Sequence, residues 1–264
     1  MHFDPIGGNA MRKLQWGMVL MLVGALPAWA QDGCAVSAPR NLDLPAGAVK
    51  TLVVRAAAGG LEIHGEPGLA QVQVRGLACA SSQQILDGIR LVQRREGDRL
   101  VVAAEVPETA GLFDGQRRLD LELRVPSRLV LEVSDSSGAA SVEHVAALRM
   151  QDSSGDLRIA HIPGAVRVED SSGSLNVRDV GALHIPNDSS GEISVSGVRG
   201  DAIIDVDSSG SIEMRDIGGN ARVGQDGSGS IVVENVAGDF TVERDGSGGI
   251  EHRGVRGKVR LPER

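Results

Sequence analysis

The sequence predicts an all-β fold, a parallel β-solenoid with rungs of 17–19 residues, and two observations lead to this prediction. An Asp-(Ser/Gly)-Ser-Gly tetrapeptide occurs seven times, at intervals of 17–19 residues. Between the tetrapeptides, apolar and polar residues alternate, which is typical of strands with one buried face. A repeat of this kind indicates a solenoid, because each unit buries its apolar edges only by stacking on its neighbours.

Each repeat divides into a turn, a strand, a corner and a second strand. Apolar residues stand five and seven residues after the aspartate in nearly every copy, and a second alternating pair, such as Ala202 and Ile204, completes the unit. Stacking identical units makes each sheet parallel, with rungs about 4.8 Å apart. Ten residues after the aspartate, every copy has Val or Ile: Val145, Ile162, Val180, Val198, Ile217, Val236 and Val255.

The turn positions have local explanations. The glycine that ends each tetrapeptide suits a positive-φ corner. We expect the aspartates to form a structural turn ladder, capping Asx-turns on a solvent-exposed corner; they are Asp135, Asp152, Asp170, Asp188, Asp207, Asp226 and Asp245. Nine residues after each aspartate, residue types that tolerate left-handed backbone predict a second corner: His144, His161, Asp179, Gly197, Asp216, Asn235 and Gly254.

The solenoid is predicted to begin before the regular repeats. Residues 31–134 are interpreted as irregular rungs and a cap, continuous with the regular solenoid of residues 135–264. Residues 60–65, followed by Val72 and Val74, resemble one rung. Further predictions are two strands turned at Pro126-Ser127, a short helix within 81–90, and a turn at 95–98 between strands at 89–93 and 99–104.

The N-terminus predicts export. Arg12 and Lys13 precede an apolar run at 18–26, and Ala28-Trp29-Ala30 supplies the small residues of a cleavage site, so residues 1–30 read as a signal peptide. The natural start is expected at Met11. A short N-terminal anchor is the alternative, but the run is short for a membrane span. No transmembrane segment is therefore expected after cleavage.

Cys34 and Cys79 are the only cysteines in the chain. An even pair in an exported protein predicts one disulfide, which would tie the mature N-terminus to the body. Two unrelated free thiols are the alternative.

Composition argues against several classes of function. The net charge is −8 and the chain has no basic block, which disfavours nucleic acid and anionic membranes as partners. Once the signal peptide is removed, Phe113 and Phe240 are the only aromatic residues. Polysaccharide-active enzymes use paired acids, and usually aromatic platforms for sugar rings, so this class is a weaker alternative.

The repeated SSG-x-L-x-V unit, preceded by an L-x-V-P segment at 123–126, resembles the bacterial DUF4097 family, whose members are labelled adhesins. The resemblance covers about residues 40–262. It implies a right-handed, single-stranded parallel β-helix. It supplies no agreed catalytic motif.

Three columns are candidates for chemistry. The aspartate ladder suggests a Ca²⁺-dependent module as an alternative, although each rung offers only one acid. His144, His161 and Asp179 are adjacent in one column and are metal-ligand candidates, although the left-handed corner explains the whole column. We interpret a basic column as a solvated face paired with acids such as Glu169 and Glu243; it comprises Arg149, Arg167, His184, Arg222 and Arg260.

The sequence therefore predicts a non-enzymatic, exported cell-envelope protein, either an interaction module or scaffold or an adhesin-like solenoid. The alternatives are a β-helix enzyme acting on polysaccharides and a Ca²⁺-dependent binding module. No cofactor is expected. The expected partner is an envelope or surface macromolecule, met in the periplasm, at the cell surface or after secretion.

Overall fold

Short strands separated by tight corners make up most of the chain that the computed structural model describes, residues 34–107 and 115–263. The predicted signal peptide (1–30), Met11 and Phe113 lie outside the described residues. The first eight strands are β1 (Val36–Pro45), β2 (Thr51–Arg55), β3 (Leu61–Glu66), β4 (Gln71–Ala80), β5 (Arg90–Glu96), β6 (Arg99–Glu105), β7 (Arg117–Pro126) and β8 (Val130–Ser134).

The strands of the regular repeats follow, with two long strands that bend through a corner. They are β9 (Ala140–Glu143), β10 (Ala147–Gln151), β11 (Leu157–Asp170), β12 (Leu175–Asp188), β13 (Ile193–Val198), β14 (Ala202–Asp207), β15 (Ile212–Ile217), β16 (Ala221–Asp226), β17 (Ile231–Val236), β18 (Phe240–Asp245), β19 (Ile250–Arg253) and β20 (Val259–Arg260). One helix, α1 (Gln83–Gly88), lies where the sequence predicted it. None of the described helices is long and apolar enough to span a bilayer.

Two parallel ladders run along the stack, which confirms the predicted parallel β-solenoid. The first ladder comprises β7, β3, β9, β11, β12, β13, β15, β17 and β19. The second comprises β6, β2, β8, β10, β11, β12, β14, β16, β18 and β20. Equivalent residues of successive repeats are paired, as in Ile193, Ile212 and Ile231.

The apolar columns form one continuous core. Ile193, Ile212 and Ile231 are each almost fully buried, and Phe240 is the largest of the fully buried side chains in the described part of the chain. Full burial of such a side chain contributes about 1.5–3 kcal/mol. At the C-terminal end, His252 occupies the repeat position that is inward in the earlier rungs, as in Val233. Its side chain is exposed and contacts the ring of Phe240.

Both predicted corners are present in every repeat. The glycines that end the tetrapeptides have φ between 120° and 145°. The second corner also has positive φ in all seven copies, at 54–60° for the five residues other than glycine and at 67° and 69° for Gly197 and Gly254. The seven residues that the sequence predicted to have left-handed backbone therefore do have it.

The N-terminal rungs are stacked out of sequence order. Strand β2 lies between β6 and β8, and β3 lies between β7 and β9, with all four pairings parallel. The rung formed by 51–66 is thus inserted between the rungs formed by 99–126 and 130–143. The prediction that Val72 and Val74 continue this rung is wrong, because they lie in β4, which pairs antiparallel with β1 and β7.

Antiparallel strands cover the N-terminal end of the stack. Strand β4 is hydrogen-bonded between β1 and β7, and β5 forms an antiparallel hairpin with β6. Helix α1 begins after Ser82, whose side chain caps the N–H of Ile85. The predicted disulfide is confirmed: Cys34 is joined to Cys79 in β4, with their Cα atoms 5.4 Å apart.

Candidate functional site

The aspartates of the repeats form a buried column, not an exposed one. Asp188 and Asp207 are fully buried, and the exposed fraction of the others from Asp135 to Asp226 is at most 5%. In the second ladder each aspartate is paired with the aspartate of the next rung, as in Asp170, Asp188, Asp207 and Asp226. The expected solvent-exposed corner is therefore corrected: the carboxyl groups point into the solenoid.

The alternation of the second strand explains this inward direction. Asp135 stands two residues after the buried Val133, and two residues along a strand return to the same face. From β12 onward the repeat carries one more residue, and Asp207 stands three residues after the buried Ile204. The register shift near the end of β11 marks this insertion, which keeps the aspartate inside.

Few hydrogen bonds compensate the burial of the column. Asp135 Oδ1 accepts from the N–H of Ser136 at 2.8 Å, and Asp170 Oδ1 accepts from the N–H of Ser171 at 2.7 Å. Each donor is the next residue, whereas the predicted Asx-turn takes the N–H two residues on. Among the described residues, no well-formed hydrogen bond reaches either carboxyl oxygen of Asp152, Asp188, Asp207 or Asp226. Nearby backbone N–H groups only partly offset the burial, as those of Ser208 and Ser209 do for Asp207.

Burial shifts the aspartates towards the neutral form. Desolvation is the main cause in each case, and it raises the pKa of Asp135 and Asp207 to about 7 and that of Asp152 and Asp188 to about 6. Neighbouring carboxyl groups along the column raise the pKa further, as Asp188 and Asp226 do for Asp207. The column is thus a row of groups that hold protons at mildly acidic pH.

A second cluster lies on the surface at the left-handed corners. His144 and His161, two of the predicted metal-ligand candidates, stack in neighbouring rungs with ring centroids 4.9 Å apart. Asp179 Oδ2, the third candidate, lies 3.3 Å from Nδ1 of His161. The structure therefore brings all three candidates into one row.

The out-of-order rung adds His64 to this row and places it beside Glu143 on β9. His64 on β3 is paired directly with Glu143 on β9, and His64 Nδ1 lies 2.8 Å from Glu143 Oε1. The ring of His64 meets that of His144 edge-on, with centroids 5.1 Å apart. One potential ligand atom each from His64, Glu143 and His144 lies within 4.8 Å of the other two. We call these three residues the histidine cluster.

The histidine cluster keeps its carboxylate charged. The hydrogen bond with His64 is the main cause that lowers the pKa of Glu143, against a smaller opposing effect of burial. The sequence assigned no role to His64 or Glu143, because their proximity depends on β3 lying beside β9. A solvent-facing histidine in the irregular rung was the only available signal.

The basic column is an ion-paired face, as predicted. Arg167 contacts Glu169 at 2.9 Å and Arg222 contacts Glu243 at 2.8 Å, which are the two acids expected from the sequence. Asp205 links these two ion pairs. It contacts Arg222 at 3.0 Å and His184 at 2.6 Å, and the ring of His184 lies 2.8 Å from Arg167. Hydrogen bonding to His184 is the main cause that lowers the pKa of Asp205.

Comparison with known proteins finds solved structures that resemble this chain, but it does not assign the chain to a family. No family model matches the chain, and no curated protein matches it. A "putative cell adhesion protein" from Clostridium sporogenes is 10% identical, with a TM-score of 0.29 over 86% of this chain and 100% of that one. A "putative adhesin" from Bacteroides fragilis is 9% identical, with a TM-score of 0.36 over 86% and 97%.

A third solved structure carries a different description. It is a "putative lipid binding protein" from Parabacteroides distasonis, 12% identical, with a TM-score of 0.40 over 84% of this chain and 96% of that one. Identities and TM-scores this low carry no argument about function. Membership of the DUF4097 family accordingly stays a prediction.

Proposed function

We propose that this chain is an exported, non-enzymatic protein of the cell envelope, whose solenoid serves as a scaffold or adhesin-like module that binds an envelope or surface macromolecule. The Cys34–Cys79 disulfide supports export, because such bonds persist in oxidising compartments. The predicted signal peptide supports the same conclusion.

The observation that carries the binding role is the regularity of the solenoid's outer face. Equivalent side chains recur at each rung, about 4.8 Å apart, on two continuous parallel ladders. Salt bridges and hydrogen bonds between rungs hold these side chains in place, as Asp205 does between His184 and Arg222. Such a rigid, repetitive polar surface suits contact with an extended macromolecule along its length.

Protease accessibility tests the cellular location. Tagged protein is treated with protease in intact cells and in cells whose outer membrane has been permeabilised. Cleavage in intact cells supports a surface location and an adhesin-like role. Protection until permeabilisation supports a periplasmic scaffold instead, and a protein that stays protected until the inner membrane is lysed contradicts export.

Turnover assays separate the binding role from the enzymatic alternative. Purified protein is incubated with envelope polysaccharides, and release of new reducing ends or unsaturated products is measured. We expect none. Turnover that is lost when a single acidic residue is replaced by its amide would establish an enzyme and overturn the proposal.

A further inference from the structure

We propose that His64, Glu143 and His144 form a surface site for a divalent transition-metal ion, and that Zn²⁺ fits its donor set. The inference does not depend on the proposed binding role of the solenoid. It rests on the position of the three side chains, on the backbone that fixes them, and on the way neighbouring charges are already paired.

The donor set is the first argument. Two imidazoles and one carboxylate are the ligands found in many zinc sites, where a water completes the tetrahedron. Two ligands of one tetrahedral zinc lie about 3.4 Å apart, given zinc–nitrogen bonds of about 2.0–2.1 Å. The three ligand atoms here lie within 4.8 Å of one another, so closure requires movements of about 1 Å.

The backbone supports these positions. His64 and Glu143 are direct partners in the β3–β9 ladder, and the next residue, His144, is held at a corner with φ of 60°. Gly65 lies against this corner, where a Cβ atom would collide with the carbonyl of His144. Ligands fixed on paired strands need less ordering when an ion binds, which favours affinity.

Neighbouring charges leave the histidine cluster accessible. Arg124, the partner of His64 in the β3–β7 ladder, is hydrogen-bonded to Glu66 and so does not compete for Glu143. His161 stacks on the far side of His144 and itself contacts Asp179. His64 and His144 are both solvent-exposed, so an ion reaches them without a conformational opening. Further along the corner column the residues are Gly197, Asp216, Asn235 and Gly254, which places the imidazoles at one end of the column.

Calorimetric titration of the full chain with ZnCl₂ tests the site, with the protein prepared without a histidine tag. We expect saturable binding of one Zn²⁺ per chain. Co²⁺ should compete with Zn²⁺ and give visible absorption bands of a four-coordinate ion. The variants are His64→Gln, which keeps side-chain size, and His144→Asn, because asparagine tolerates left-handed backbone.

Each variant should bind Zn²⁺ about tenfold more weakly or worse, since even outer partners of metal ligands cost about 10- to 100-fold. The matched control is His184→Gln, which removes a half-exposed, acid-paired histidine from the other ladder; its affinity should equal that of the wild type. Circular dichroism checks that each variant is folded. Absence of saturable Zn²⁺ binding, or an unchanged affinity in both folded cluster variants, overturns the proposal.

Discussion

At the scale of single residues, the aspartate column is the main departure from ordinary solenoid packing. A buried carboxylate without a partner is costly, and neighbours of like charge increase the cost. Protonation removes the charge and with it the repulsion between adjacent carboxyl groups. Asp207, between Asp188 and Asp226, is affected from both sides.

The column predicts that the protein is more stable in mild acid than at neutral pH. Because burial raises the pKa of these aspartates to about 6–7, the folded chain binds more protons than the unfolded chain between about pH 4 and pH 7. The free energy of unfolding should therefore fall as pH rises through this window. Thermal melts from pH 4 to pH 8 measure it, and a midpoint that rises steadily with pH would contradict the prediction.

Surface acids set the lower limit of this window. Hydrogen bonds from Arg99 and His184 lower the pKa of Glu132 and Asp205, so the stability they contribute is lost as pH falls below about 4. The maximum should lie near pH 4, where these two opposing trends meet. Millimolar calcium should leave the midpoint unchanged, since the column's carboxyl oxygens are buried inside the solenoid and calcium needs several oxygen ligands.

Replacing one buried aspartate by its amide tests the cause directly. Asp207→Asn should stabilise the protein at pH 8 by an amount on the order of 1–4 kcal/mol, because it removes a buried charge, and should have little effect at pH 5. Asp245→Asn is the matched control, at the same repeat position but only partly buried. Denaturant unfolding at both pH values measures the difference. Equal effects of Asp207→Asn at the two pH values would exclude charge burial as the cause.

At the scale of the element, each rung depends on a close contact at its first corner. Gly229 has a φ of 140°, and a Cβ atom there would collide with the carbonyl of Gly210 in the neighbouring rung. Residues with a side chain rarely adopt this backbone conformation. Glycine is therefore required here both by the dihedral angle and by the close approach of the neighbouring rung.

Gly229→Ala should therefore destabilise the protein by roughly 2 kcal/mol or more, from backbone strain and displacement of the adjacent rung. Gly249→Ala is the control, since nothing lies within 4 Å of an added Cβ and its φ is not positive. Thermal melts should show a clear loss for the first variant and almost none for the second. A similar small effect for both would show that the corner tolerates a side chain.

At the scale of the whole solenoid, the cap and the regular repeats differ in what stabilises them. Each repeat contacts its neighbours along the stack, whereas the cap is held by antiparallel strands and by a disulfide that closes a loop of 45 residues. Loop-closure entropy gives this disulfide about 4 kcal/mol.

Reduction should loosen the cap more than the repeats. In a Cys34→Ser/Cys79→Ser variant, we expect faster hydrogen exchange in β1 and β4, with little change in β15 and β17. Mass spectrometry of proteolytic fragments measures both regions, and the oxidised wild type is the control. Uniformly faster exchange over all strands would show instead that the solenoid unfolds as one cooperative unit.

The repeats could be predicted from the sequence because each rung pairs with its neighbour in the chain. The columns through Ile193 and Ile212, and the corners at His144 and Asp216, followed from counting residues from each aspartate. The inward direction of the aspartates was missed because they were interpreted as turn residues. The alternation that includes Val133 and Asp135 would have placed the first three aspartates inside. From Asp188 onward the extra residue interrupts that alternation, so simple counting does not reveal the inward direction.

The N-terminal region and the histidine cluster could not be predicted in this way. Strand β3 pairs with β7 and β9, which follow it by more than fifty and seventy residues, and no local pattern specifies that register. His64 therefore had no visible relation to Glu143 in the sequence, whereas His144 and His161 were already neighbours in the repeat.

The insertion of the 51–66 rung between two later rungs also has a consequence for folding during synthesis. When the chain emerges from the ribosome or an export channel N-terminus first, β2 and β3 have no ladder partners until residues 99–143 have followed. Contacts this distant in sequence form slowly. By contrast, the strands of every later rung pair with strands that precede them in the chain. We therefore expect the N-terminal rungs to form only after about half of the chain is available, whereas the later rungs can form as soon as their neighbours in the chain have been made.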